Sequence, residues 1–390
     1  MVRHGLVAVC GLALVLEAGA ADWVEVASPG RPGDGVMGGT ASGSGEHSVE
    51  QLVPFDGRLY VALQALPNGP VQPIVAYDPE KKDLRDESPT VGRHFGRLRV
   101  LENRLYVPVA EPVGDAGGYY VSAGGGKWDW VPVAGSGAAF YDTARFDGKT
   151  FLAGRQKDQA IVAWRADGET TWRVEWLNGQ AARFSIKAAS FLCVTNHLTL
   201  MAAREVIGDW PNQVAPREWG GWYVLPYTAG KSPRSFLFDG PARPLPALRR
   251  MAPDTQFLQN PKYGLARDVR WQGGLLYVVL RDPDLGLDTS GSLFYATLQE
   301  GNPQTGRTFT GKRISGMGQA RDIAVEGGQC AVLLGENARP QADITLSRDL
   351  EKWETVFSAE LPGTPLSLAL LEGRFYIGLD NGGIVRVMNK

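Results

Sequence analysis

Seven times the chain writes the same short phrase. "FDGRLYVAL" begins at Phe55, "LENRLYVPVA" at Leu101, "FDGKTFLAG" at Phe146 and "VTNHLTLMAA" at Val194. "WQGGLLYVVL" follows at Trp271, "VEGGQCAVLL" at Val325 and "LEGRFYIGL" at Leu371. Each copy is an apolar residue, a polar one, a turn of Gly or Asn, and an alternating strand, the pattern of a tight hairpin. The residues before the turns are Asp56, Glu102, Asp147, Thr195, Gln272, Glu326 and Glu372, at gaps of 46, 45, 48, 77, 54 and 46. A period of this length with several short strands per unit is that of a β-propeller. Seven copies predict seven four-stranded antiparallel blades in an all-β fold. Abundant turn formers, Gly 49 and Pro 25, agree with this. No helical period of comparable length interrupts the pattern.

The two ends of the chain complement each other. The last copy supplies strand patterns at 366–371, 374–379 and 383–388 and then stops one strand short. "DWVEVASPG", from Asp22 to Gly30, resembles "WDWVPVAGS" at Trp128 and "WRVEWLNG" at Trp172, both fourth in their blades. The N-terminal strand is therefore expected to join the last blade and close the ring, which removes an exposed sheet edge. Residues 1–21 read as a signal peptide. Arg3 and His4 precede an uncharged apolar run from Gly5 to Leu16, and Ala18 to Ala20 offer small residues before a cleavage point. The expectation is secretion or a periplasmic location, with residues 22–390 forming one propeller domain.

Bulk properties exclude some partners. The formal net charge is −2 and charged residues make up 21%. Neither predicts electrostatic capture of nucleic acid or of an anionic membrane. Cys193 and Cys330 sit in separate apolar strand patterns and read as buried thiols, and no Cys/His cluster with metal spacing occurs. Asp282, Asp284 and Asp288 in "RDPDLGLDTSG" carry oxygen donors for Ca²⁺, but their spacing fits no calcium loop, so a surface turn and no cofactor are expected.

Three stretches share the third-to-fourth-strand turn: "SAGGGKW" at Ser122, "RADGETTW" at Arg165 and "SRDLEKW" at Ser347. They resemble the Asp-box, S-x-D-x-G-x-T-W and its shorter variants, found in sialidases and many secreted propellers. The chain departs from the pattern at Gly124, where the Asp belongs, and at Arg165, where the Ser belongs. The resemblance implies a structural turn, with Asp bonding backbone N–H groups and Trp packing between blades. It covers the repeat architecture and points to no enzyme family.

In such a ring the first strand of each blade lines the channel. Its start and the second-to-third loop share the face that usually binds ligand, opposite the Asp-box turns. Aligned on the pre-turn residue, the position one earlier is apolar in every repeat: Phe55, Leu101, Phe146, Val194, Trp271, Val325, Leu371. The position three earlier is mostly apolar: Val53, Arg99, Ala144, Leu192, Val269, Ile323, Ala369. Five earlier it is always polar: Gln51, Arg97, Asp142, Ser190, Arg267, Arg321, Ser367. Repeats five and six share "ARD", giving Arg267-Asp268 and Arg321-Asp322, while Arg93 and His94 enter repeat two at the same end. Two readings follow. Arg and Asp satisfy one another at a watery channel mouth, or the arginines present bidentate donors to a carboxylate or sulfate.

Repeat four is the exception. Its insertions, at about 205–222 and 241–262, fall on the expected ligand face and bring Trp210, Trp219 and Trp222, whose faces suit sugar stacking. His94 with Tyr141 is the one candidate acid/base pair, for β-elimination from a uronic acid. The sequence thus favours a secreted, monomeric module that binds a polysaccharide or extracellular protein without catalysis. The alternative is a glycan-degrading enzyme, a polysaccharide lyase before a sialidase-like glycosidase, since no Tyr–Glu nucleophile pair stands out.

Overall fold

The computed structural model describes residues 23–28, 48–63, 72–87, 92–112, 117–135, 137–156, 159–176, 184–194, 197–206, 222–228, 243–244, 267–279, 291–299, 308–336 and 339–388, some strand positions at the backbone level alone. The candidate signal peptide, Trp210, Trp219 and Asp282, Asp284 and Asp288 lie outside them.

All described regular structure is strand. After β1 (Trp23–Ala27), repeat one gives β2 (Val49–Phe55), β3 (Arg58–Leu63), β4 (Val75–Asp78) and β5 (Asp83–Asp86). Repeat two gives β6 (Gly92–Phe95), β7 (Arg99–Leu101), β8 (Arg104–Pro112), β9 (Gly117–Ser122) and β10 (Asp129–Ala134). Repeat three has β11 (Ala138–Phe146), β12 (Lys149–Gln156), β13 (Gln159–Ala166) and β14 (Arg173–Trp176). Repeat four has β15 (Phe184–Val194), β16 (His197–Val206), β17 (Trp222–Thr228) and β18 (Arg243–Pro244). Then come β19 (Arg267–Trp271), β20 (Gly274–Val279), β21 (Gly291–Gln299), β22 (Thr308–Glu326), β23 (Gln329–Leu334), β24 (Gln341–Ser347) and β25 (Glu354–Glu360). The chain ends on β26 (Pro365–Leu371), β27 (Arg374–Leu379) and β28 (Ile384–Val387).

These strands form antiparallel meanders in six sheets, where seven separate blades were expected. The reason is β22. Its 19 residues serve as the last strand beside β21 and then as the first strand beside β23, so repeats five and six merge into one seven-stranded sheet. Successive sheets pack through their first or second strands: β2 on β7, β8 on β11, β11 on β15, β15 on β20, β22 on β26, and β26 on β2. The apolar cores lie between sheets. One such cluster joins Val49, Leu59 and Tyr77 of the first repeat to Ala369, Tyr376 and Ile384 of the last. This arrangement is an all-β propeller. β1 pairs antiparallel with β28, from Trp23 opposite Val387 to Ala27 opposite Ile384.

The hairpin turns explain the repeated phrase. In five copies the two turn residues both take positive φ or pair such a residue with Gly, as at Asp56 (50°) with Gly57 (71°) and Glu102 (49°) with Asn103 (58°). That is the mirror-image turn whose twist matches the flanking strands, and it selects Gly and Asn. Repeat six differs. There the turn is Gly327-Gly328, with Glu326 still paired to Gln329 in the strands.

Candidate functional site

This one-residue difference resets the polar column. Counted from the true turn, the sixth member is Asp322 and not Arg321. Arg321 falls on a β-bulge that recurs one place before the column. The pairing skips Glu50 in β2, Tyr141 in β11, Arg321 in β22 and Leu366 in β26; in β15 it skips Lys187, three places before Ser190. Gly96 holds the corresponding place in repeat two, between Phe95 paired to Val109 and Arg99 paired to Tyr106. In four repeats the pairing irregularity thus falls directly before the polar residue. Period-two reading cannot detect it, because an extra residue leaves the downstream pattern intact.

The polar tier stitches neighbours together. Gln51 Oε1 accepts from the Leu98 N–H (3.1 Å), and the Arg97 N–H donates to the Tyr141 carbonyl (2.7 Å). Asp322 accepts from the N–H groups of Ile323 (2.8 Å) and Leu368 (2.9 Å). The Ser367 hydroxyl donates to the Val49 carbonyl (2.9 Å).

Other bonds cross the channel. Arg97 pairs with the Asp268 carboxylate and also donates to its carbonyl at 3.0 Å. Arg99 grips Asp142 with Nε and Nη2 (2.6 and 2.7 Å) and Asp268 with Nη1 and Nη2 (both 3.0 Å). Arg267 of repeat five donates to the Glu50 carbonyl of repeat one at 2.5 Å. Asp142 is 0% exposed and Arg97 8%, so these charges survive only because they are paired. Burial by itself drives the Asp268 carboxyl upward; Arg97 and Arg99 outweigh it and hold the group below its ordinary value. Asp322 has backbone partners in place of a guanidinium grip, and burial pushes it up.

A cavity of about 520 Å³ lies against this tier. Its described walls run from the tier toward the hairpin turns, through Val53, Val269 and Ala369 to Glu102 and Arg145. It therefore lies on the turn side of the tier, and not among the starts of the first strands where the sequence placed the ligand face. Five arginines and three carboxylates line it. Arg97, Arg267, Asp268 and Asp322 are among them, while Asp142 is sealed behind Arg99. Arg321 is 2% exposed and donates to the Gly335 carbonyl of its own sheet (2.9 Å).

The other candidates are placed apart. Arg93 is exposed and His94 half-buried on β6, and neither they nor Tyr141 line the cavity. Burial pushes the Tyr141 phenol up to about 12, which disfavours the phenolate a base would need. Trp222 opens β17, described there by its backbone. Cys330 is a buried free thiol. Arg99 was legible as the single charge in an otherwise apolar column, and it pairs with two carboxylates, Asp142 and Asp268.

The third-to-fourth-strand turns use aspartate in three ways. In repeat six, Asp349 accepts from the N–H groups of Glu351 (2.9 Å) and Lys352 (2.8 Å), and Ser347 Oγ accepts from Leu350 (2.8 Å). Those backbone donors hold the Asp349 carboxyl below its ordinary value. In repeat three, Asp167 turns away and takes Arg145 at 2.6 and 2.8 Å. In repeat two, where Gly124 replaces the aspartate, Asp56 of the preceding repeat reaches across to accept from the Gly125 N–H (2.7 Å). Repeat one carries an unforeseen example, Asp78 accepting from Glu80 and Lys81, both at 3.1 Å.

No protein-family model matches the chain, and no curated protein matches its sequence. Solved structures of similar shape include the Kuenenia stuttgartiensis hydrazine synthase, at 9% identity over 91% of this chain and 99% of that one, with a TM-score of 0.49. Virginiamycin B lyase from Staphylococcus aureus gives 9% identity, 87% and 94% coverage and a TM-score of 0.48. The β-propeller domain of the Trilobed protease from Pyrococcus furiosus gives 8% identity, 85% and 90% coverage and a TM-score of 0.46. Likeness at this level bears on neither activity nor ligand. The place of this chain among the all-β propellers rests on its sheet order and on the contacts from each sheet to the next.

Proposed function

We propose that this protein is a secreted recognition module that binds an acidic polysaccharide through its arginine-bearing channel and does so without catalysis. The observation that carries this is the 520 Å³ cavity, a volume suited to one or two sugar rings, lined by more arginines than carboxylates. Arg270 is exposed on its wall and is the natural first contact for a ligand carboxylate or sulfate. Secretion rests on the N-terminal sequence pattern. The Trp-bearing insertions of repeat four remain a candidate second contact for the same polymer.

The proposal extends to the ring itself. The merged sheet of β19 to β25 serves as two repeat units, and β1 on β28 completes the last one; the continuous strand β22 and the register of β1 support this.

The test is a panel of anionic and neutral polysaccharides presented to the purified protein. Acidic chains are expected to be retained unchanged, and Arg270→Ala to weaken retention by about tenfold, the loss of one charge-assisted contact. Equal retention of neutral chains overturns the reading. So does release of unsaturated, ultraviolet-absorbing product from an acidic chain, which is the outcome a lyase gives.

A further inference from the structure

Two repeats contain the same four residues after the turn, Arg58-Leu59-Tyr60-Val61 and Arg104-Leu105-Tyr106-Val107. In repeat one this pair of polar groups has an internal partner. Glu87 places one carboxylate oxygen on Arg58, and the Tyr60 hydroxyl donates to the other at 2.8 Å. The Glu87 side chain is 4% exposed, so the carboxylate is sealed in by the groups it joins.

The strand registers show what stands in its place one repeat later. Tyr60 is opposite Ala76, and two residues before Ala76 the Ile74 carbonyl takes the Glu87 N–H at 2.8 Å. Tyr106 is opposite Val121, and two residues before Val121 is Tyr119, opposite Val131. Val131 is therefore the counterpart of Glu87. Where repeat one has a carboxylate, repeat two has a methyl-bearing side chain. Beside it is a cavity of about 560 Å³ lined by Arg104, Tyr106, Tyr119, Val131 and Arg165.

Arg104 is exposed and makes no hydrogen bond or ion pair among the described residues. Arg165 lies over the Trp172 ring at 4.8 Å, and its charge also acts on the nearby Asp167 carboxylate, whose ion pair is with Arg145. Tyr106 and Tyr119 stack at 5.7 Å, and their phenols are raised by burial and pulled back by the guanidiniums of Arg104, Arg145 and, for Tyr119, Arg165. Two of the three carboxylates at the cavity, Glu102 and Asp167, are held by Arg145. The third, Asp129, is exposed.

We propose that the cavity between repeats two and three binds an external carboxylate at Arg104 and Tyr106, in the position Glu87 fills internally one repeat earlier, and that the ligand is a uronic acid residue whose ring hydroxyls meet the exposed Asp129 at the cavity rim. Arg165 adds a second charge. This site adjoins the channel cavity and shares Glu102 and Arg145 with it, but its ligand contacts Arg104 and Tyr106 do not line the channel.

The probe is D-glucuronate, with D-glucose and acetate as controls, followed by chemical-shift changes and titration calorimetry on the full chain. Wild-type protein is expected to bind glucuronate and to show no response to glucose. Arg104→Ala, at an exposed position, is expected to lower the affinity by about tenfold. Val131→Glu supplies the internal carboxylate and is expected to abolish binding while the melting temperature holds or rises. Arg270→Ala leaves glucuronate binding here unchanged, which separates this site from the channel. The proposal is overturned if Val131→Glu, folded, binds glucuronate as wild type does, if Arg104→Ala is without effect, or if acetate binds as tightly as glucuronate.

Discussion

Gly96 shows how little room the channel leaves. A methyl group there would lie 2.4 Å from the Tyr141 carbonyl oxygen, which already accepts the neighbouring Arg97 N–H. Gly96→Ala must push two repeats apart at the tier, and thermal unfolding is expected to register a loss of roughly 1–3 kcal/mol. Much of this scale was legible in the sequence. A polar residue five places before the turn marked the tier, and the identity of "RLYV" in two repeats marked the arginine–tyrosine pair. What escaped was the sixth repeat, because a Gly-Gly turn hides its own register when either neighbour can serve as the boundary. The partners of Arg97 also escaped. An ion pair between residues 171 apart leaves no trace in local pattern.

At the scale of elements, the repeats were readable because a two-residue hairpin turn needs positive φ and therefore Gly or Asn. Blade count was not, because the link between β21's partner segment and the next first strand is itself extended and joins two sheets into one. Among the elements, β1 joins the two ends of the described chain. Its four pairs to β28 are reinforced by the Trp23 indole, which donates to the Glu360 carbonyl (3.0 Å), and by packing of Trp23 against the core beneath. Removing residues 22–28 is expected to lower the melting temperature by about 1–3 °C, the shift that one or two kcal/mol produces in a chain of this size. An unchanged transition in differential scanning calorimetry would mean that β1 adds nothing to the last sheet.

For the whole molecule, the tier makes stability depend on pH in a defined direction. Asp268 is held below its unfolded value, so its contribution is complete above about pH 4, the ordinary aspartate range, and fades as acid protonates it. Asp322 is held above its ordinary value and works in the opposite sense, favouring the native state as pH falls. The Asp268 term carries two buried arginines with it and is expected to dominate. Asp268→Asn leaves Arg97 and Arg99 short of a counter-ion and is expected to cost about 3–5 kcal/mol at pH 7, with a smaller difference between pH 7 and pH 3 than wild type shows. Thermal melts across that range check both the size and the sign.

The long-range bonds of the polar tier also govern when the propeller can assemble during synthesis. Arg97 waits for Asp268, Glu50 for Arg267, and Val49 for Ser367, across separations of 171, 217 and 318 residues. Within the first three repeats Arg99 can find Asp142, but the carboxylate that Arg97 takes belongs to repeat five, so the inner edge stays short of one counter-ion until then. Contacts this distant come late in folding, after local hairpins have formed. The charged tier is thus a latch set by the second half of the chain, and the early repeats stay open to water, chaperones and proteases until it is made.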